Sequence, residues 1–208
     1  MKTMGELLDA FDEEGQLVKT LEKELLLREM KDYSYKHRDS PFAVPVVHLM
    51  LSNSQGQLYV IKRGDKDENP NKYCKSVGGH VRSGEPYETT LQRETLEEIG
   101  TDIIVTDESV FEKAKSDVDT TKYAVVKRIG FDPWLKSIRK VKNGRSWTKR
   151  VKAEIFVGIY DGNVSFKDGE AVEMLLINKQ DLIKRISDNS DDFTYDLRRI
   201  MSTYYRQL

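Results

Sequence analysis

Apolar residues recur along this chain at two spacings, and the switches between them lay out its elements. Over 16–31 (QLVKTLEKELLLREMK) apolar side chains stand at 17, 18, 21, 25, 26 and 30, which fits one face of an amphipathic helix. The preceding DEEG run also suits the turn of a hairpin between short strands. Residues 43–51 (AVPVVHLML) form an apolar, β-branched run that predicts a strand, with Pro45 marking an edge or a strand start. Asn53 to Gly56 reads as a turn, and Gln57 to Lys62 as the returning strand of a hairpin. A polar loop over 64–75 leads to a short strand around Ser76 and Val77, then to Gly78-Gly79. A helix follows from about Glu85 to Ile99, with Pro86 in its first turn and Gly100 as its C-terminal cap. Strand-like runs recur near 101–105, 123–130, 151–160 and 171–177, and short helical patterns near 133–141 and 179–187. From Asp191 to Tyr205, Phe193, Leu197, Ile200, Met201 and Tyr204 return to helical spacing. Strands and helices alternate irregularly and include hairpins. The expected class is therefore α/β, with a mixed sheet and helices on both faces rather than a purely parallel sheet.

Composition narrows this picture. A chain of 208 residues suits one medium domain, here divided into an N-terminal extension (1–40) packing on the core, a main domain (41–190) and a C-terminal helix of that same domain (191–208). The formal net charge is −1, so no global field favours nucleic acid or an anionic membrane. Cys74 is the sole cysteine, which excludes an intramolecular disulfide and a cysteine-based zinc site. The longest apolar runs, such as Phe42 to Leu51, are too short to cross a bilayer. Met1 to Phe11 is polar and acidic without a signal-peptide pattern, so the default expectation is a cytoplasmic protein.

The chemistry concentrates on one helix. Glu94, Glu97 and Glu98 stand at i, i+3 and i+4 and span an arc of roughly 100° on one face. Such like charges repel, and a divalent cation would offset the repulsion. Hard oxygen donors favour Mg²⁺, with Mn²⁺ as the substitute. Gly78-Gly79 and Gly84 allow the preceding loop to bend sharply and bring this face near a strand end. Arg93 stands one turn before Glu97 and within reach of either Glu97 or Glu85. Taken alone, such an acidic run is usually a solvated face.

The longer stretch from Gly79 to Thr101 (GHVRSGEPYETTLQRETLEEIGT) changes that balance. It carries Gly79, five residues, Glu85, seven residues, then Arg93, Glu94, Glu97, Glu98 and Gly100, with Thr95 and Thr101 where hydrophobic residues are usual. This resembles the Nudix box. The resemblance implies a Nudix-type α/β/α sandwich with a mixed sheet. It also implies Mg²⁺ (or Mn²⁺) held by Glu94, Glu97 and Glu98 with the carbonyl of Gly79 or its neighbour. Glu85 and Arg93 would orient those ligands by ion pairing, and Gly100 would close the helix. The reaction implied is attack of an activated water on a diphosphate, with Glu97, Glu98 or a later residue as base. The substrate would be a small diphosphate compound such as a nucleoside diphosphate derivative. No nucleic-acid or membrane partner is expected, and a homodimer is a family-level expectation.

A finer likeness runs from about Phe11 to Ile200. The order DEEG, LEKE, HRDSPFAV, NSQGQLYVIKRG, NPNKYCKSVGGHV and FTYDLRRI is similar to the Nudix branch close to isopentenyl diphosphate isomerase. Those isomerases need a cysteine in the segment matching Ser76-Val77-Gly78-Gly79-His80 and several histidines for a metal. Here that segment has no cysteine, and the chain holds only His37, His48 and His80. Hydrolysis is therefore the expected activity, ahead of isomerase chemistry or a non-catalytic binding module. Glu154 falls near the isomerases' late catalytic glutamate and joins Glu97, Glu98 and Arg93 as a catalytic candidate. Arg63, Lys66 and His80 are candidate phosphate contacts, weighed against solvated strand ends and a plain surface histidine. Glu170 and Glu173 read as structural or solvated. The Lys/Arg-rich segment 136–152, with Trp134 and Trp147, reads as a solvated hairpin with an inserted helix more readily than as a binder of a base and phosphates. Cys74 reads as a bystander.

Overall fold

The computed structural model describes residues 5–142, 144–166 and 171–208. Its first element is a hairpin, β1 (Leu7–Phe11) and β2 (Leu17–Glu22). The Asp12 carboxylate accepts from Gln16 N at 2.7 Å, and Gly15 takes φ +82°. That turn settles the choice the sequence left open: the helix expected over 16–31 begins only at Lys23. Helix α1 (Lys23–His37) starts where Glu22 caps Leu25 N at 3.2 Å, and it buries Leu26 and Met30.

Strand β3 (Ala43–Ser52) is the spine of the fold, buried from Ala43 through Leu51. Strand β4 (Gln57–Arg63) returns from the expected turn, and the short β5 (Tyr73–Cys74) pairs with it. Strand β6 (Val77–His80) lies antiparallel to β3 from Val46 to Leu49, two residues further along than the sequence pattern placed it. Pro45 sits just outside this ladder. Its carbonyl accepts from Val81 N, so its missing N–H falls where no β6 partner is needed.

Helix α2 (Tyr87–Glu98) begins one residue after Pro86 and ends at Gly100, which has φ +87° and donates to Thr95 O. Strand β7 (Asp102–Thr106) leads to helix α3 (Glu108–Asp117), which the apolar pattern did not reveal because Phe111 is its one buried side chain. The helix expected near 133–141 is absent. Strand β8 (Tyr123–Arg139) runs through it and pairs antiparallel with β9 (Trp147–Ile159). Register shifts between Arg128 and Gly130 and between Asp132 and Leu135 break the period of two there, which mimics a helical spacing. Strand β10 (Ala171–Asn178), helix α4 (Lys179–Asp188) and helix α5 (Tyr195–Tyr204) complete the chain. Glu170 lies outside the described residues, and Glu173 is an exposed partner of Lys62 at 3.2 Å.

The sheet runs β10-β4-β3-β9-β8-β7, with β6 added to β3 and β5 to β4. Parallel pairs (β3 with β9, β7 with β8) mix with antiparallel ones. One face packs Val47, Leu49 and Leu51 against Leu91 and Ile99 on the α2 side. The other packs Val44 and Val46 against Leu26 and Met30 of α1, and Met50 against Leu197 and Ile200 of α5. The expected mixed sheet with helices on both faces is present, and burial on both faces explains the unbroken apolar run of β3. Among the described residues no helix is long and apolar enough to cross a membrane.

Candidate active site

The acidic face of α2 is set by the loop before it. Gly84 adopts φ +74°, and Glu85 N donates to Arg82 O at 2.9 Å. Glu85 is then gripped by the Thr90 hydroxyl at 2.6 Å and by Arg93 at 3.2 Å. Burial alone would raise its carboxyl, but these bonds hold it below the usual glutamate value. Arg93 does both things the sequence allowed. It reaches Glu85, donates to Glu94 Oε1 at 2.6 Å and to His80 O at 3.3 Å, and lies 3.6 Å from Glu97 Oε2. One guanidinium therefore ties the loop, the strand β6 and the helix together.

The two glycines of β6 supply space. A Cβ on Gly79 would overlap the Glu94 carboxylate, and one on Gly78 would overlap the end of Lys75. Burial raises the Glu94 carboxyl despite Arg93, with the Glu97 charge adding to the rise. Thr95 and Thr101, the two departures from hydrophobic positions, are both buried. The Thr95 hydroxyl donates to Leu91 O at 2.7 Å and that of Thr101 to Lys122 O at 2.9 Å, so neither is left unpaired.

Glu94, Glu97 and Glu98 face a cavity of about 420 Å³ between the end of α2, strand β6 and the face of the sheet that α1 covers. Gly79, His80, Arg93 and Arg63 also line it. His80 is not a plain surface histidine: its Nε2 meets Lys149 Nζ, and burial and that lysine push its pKa well below the ordinary value. Arg63 donates to Glu68 O at 3.3 Å. Lys66, in the loop after β4, is not a lining residue. Glu154 is not one either. It lies in register with Val47, on the α2 face of the sheet, and accepts from Arg128 at 3.3 Å.

Several lining residues escaped the sequence reading. The N-terminal extension contributes Glu6 and Lys23, joined at 2.6 Å. The segment 136–152 contributes Arg139 and Lys149. It is a hairpin without the inserted helix, and Trp147 is buried against α1. A period-two reading would have shown Trp147, Lys149 and Val151 sharing one inward face. Behind these cations the Asp196 carboxylate, at the start of α5, accepts from Ser137 Oγ at 2.5 Å. Arg139 lies 3.2 Å and Lys75 lies 4.0 Å from Asp196 Oδ2, both as ion pairs without hydrogen-bond alignment.

The glutamates have the oxygen donors a hard divalent ion prefers, and they share one cavity. Among the described residues, however, no three acidic, histidine or cysteine groups converge as a ready metal cage. Arg93 serves as countercharge to Glu94 and Glu97 in this conformation. An ion would gather the 53% exposed Glu97 rather than slot into a closed site.

Comparison with known proteins gives a consistent result. The model of a family described as NUDIX domain matches residues 41–135. A protein named "Nudix hydrolase" from Deinococcus radiodurans is 48% identical over 61 residues, 29% of this chain and 36% of that protein. An "RNA pyrophosphohydrolase" from Wolbachia pipientis subsp. Culex pipiens is 43% identical over 58 residues, 28% of this chain and 33% of that protein. The chain thus spans about a third of the length of these curated relatives. Among solved structures, DR0079 from Deinococcus radiodurans superposes with TM-score 0.61 at 20% identity, covering 95% of this chain and 98% of that one. A MutT protein from Methanosarcina mazei Go1 gives TM-score 0.52 at 15% identity, covering 78% of this chain and 92% of that one. At these identities the structural matches show a shared fold.

Proposed function

We propose, from the match of residues 41–135 to the NUDIX domain model, that this chain is a Nudix enzyme and hydrolyses a diphosphate linkage in a small molecule. A nucleoside diphosphate derivative or a similar compound would serve. The observation that carries this reading is the shared cavity, with three glutamates on its α2 wall and buried cations on the sheet face. Glu94, Glu97 and Glu98, with the Gly79 carbonyl, would hold Mg²⁺, or Mn²⁺ in its place. The ion supplies Lewis acidity toward phosphate oxygens and water.

The chain's own groups have distinct parts in this scheme. Arg93, anchored on Glu85 and His80 O, holds Glu94 in place. Glu98 or Glu97 takes the proton of the attacking water, since both face the cavity and Glu154 does not. Arg63 and the cations of the sheet face bind phosphate oxygens and offset their charge. Isomerase chemistry has no thiol to draw on in Ser76-Val77-Gly78-Gly79-His80.

The test is a panel of nucleotide sugars, dinucleoside polyphosphates, nucleoside triphosphates and prenyl diphosphates, offered with Mg²⁺ or Mn²⁺. Turnover of at least one compound is expected. Glu98→Gln should reduce it by roughly two to four orders of magnitude while circular dichroism stays unchanged. Near-normal turnover in that variant would sink the assignment.

A further inference from the structure

The floor of the cavity is built unlike its glutamate wall. Lys149 on β9 is 3% exposed and Lys75, between β5 and β6, is 8% exposed, yet both reach the cavity together with Arg139 of β8. Lys149 has His80 as its side-chain neighbour and no carboxylate within salt-bridge distance among the described residues. The buried acid behind this group is Asp196, which lies beside Arg139 and Lys75. The Glu68 carboxylate, also at the cavity, accepts from Trp147 Nε1 at 2.8 Å. Asp196 and Glu68 thus stand against three basic side chains. His48 of β3 lies beside them, 2% exposed, and neither of its ring nitrogens has a hydrogen-bond partner. A neutral imidazole so placed has an unused donor. Burying three basic side chains beside two carboxylates, and a donor of His48 without an acceptor, is costly, and an anion in the cavity reduces that cost.

The rest of the lining says what kind of anion. Among the described lining residues Leu27 and Val46 are the apolar side chains, and there is no Phe, Tyr or Trp. The apolar surface nearby, Ile61, Phe166 and Ala171, lines a separate, smaller pocket that meets this cavity at Arg63, Lys75, Gly78 and Glu98. Gly78 keeps the room that the end of Lys75 occupies.

We propose that Lys75, Arg139, Lys149 and His48 form a phosphate subsite on the sheet face, apart from the three glutamates. It takes a phosphoryl group other than the one attacked. The preferred substrates are then small molecules carrying three or more phosphoryl groups. The substrate class rests on the hydrolase reading above; the subsite itself does not.

The experiment titrates the full chain in EDTA with inorganic phosphate, pyrophosphate, tripolyphosphate and adenosine, read by calorimetry. Tripolyphosphate and pyrophosphate should bind without metal, and adenosine should not. Lys149→Met and Lys75→Met should each weaken tripolyphosphate at least tenfold, while Glu98→Gln leaves its affinity unchanged or tighter. Thermal melts establish that each variant is folded. Lys149→Met, flanked by Trp147 and Val151, decides the matter if Lys75→Met does not fold. Equal affinity in Lys149→Met, absence of metal-free binding, or loss of binding in Glu98→Gln would each overturn the subsite. Turnover that depends on Glu98 with anion binding indifferent to Lys149 would leave the hydrolase standing and remove the subsite. Lys149-dependent binding without turnover of any compound would do the reverse.

Discussion

At the scale of single residues, the site depends on what is missing from Gly79 as much as on the carboxylates. Its φ is not positive, so its role is space: any Cβ there collides with the Glu94 carboxylate. Gly79→Ala must push Glu94 off Arg93, and a displacement of about 1 Å near reacting groups costs on the order of a hundredfold. We expect kcat/KM of Gly79→Ala to fall roughly tenfold to a hundredfold with a much smaller loss in melting temperature. A variant as active as the parent would show that the Glu94 position is not needed. Arg93, Glu85 and Gly100 were legible in the sequence because their roles are local, set by spacing within a single loop and helix. Lys149 and His48 were not, because each becomes part of the site only when β3, β8 and β9 lie side by side.

At the scale of elements, the N-terminal hairpin and α1 illustrate how two readings of one pattern are decided. The apolar positions at 17, 18 and 21 fit a helix that continues to 30, but the Asp12 to Gln16 turn uses the first of them in a strand. Leu17 and Val18 are exposed, whereas Leu26 and Met30 of α1 are buried against Val44 and Val46. The helix therefore belongs to the core and also supplies Lys23 and Leu27 to the cavity. Leu26→Ala should cost about 2–5 kcal/mol, the range for emptying a buried leucine site, measurable by urea denaturation. A loss below about 1 kcal/mol would mean that α1 is only loosely docked. At 133–141 the apolar spacing suggests a helix, but bulges in β8 shift apolar residues off the period of two. Periodicity alone cannot tell an irregular strand from a short helix. Its long partner strand β9 decides the matter by supplying a hydrogen-bonded ladder.

At the scale of the whole molecule, Asp196 joins parts of the chain that are far apart in sequence. Its buried carboxylate meets Ser137 and Arg139 of β8 and Lys75 beside β6. Burial alone would raise its pKa, but Arg139, Lys75 and the Ser137 hydroxyl hold it well below the usual aspartate value. A carboxyl lowered on folding stabilises the native state fully above its unfolded pKa of about 3.9, and that contribution fades as pH falls below it toward the folded value. Asp196→Asn leaves buried cations unpaired and should cost roughly 3–5 kcal/mol at neutral pH. It should also flatten the loss of stability between about pH 5 and pH 3, read by denaturation across that range. An acid profile parallel to the parent's would show that other carboxyls govern acid unfolding.

The sequence by itself determined the mixed α/β class, the helix that carries Glu94, Glu97 and Glu98, and the resemblance to the Nudix box. All three rest on interactions between residues close along the chain, where spacing is geometry. The tertiary structure decided that Glu154 stands in register with Val47 outside the cavity lining and that Arg139 and Lys149 are part of that lining. It also decided that the buried Lys75 and His48 line the same cavity. Which face a strand residue presents depends on register and bulges across partner strands. Those are settled only when the whole sheet closes over its core.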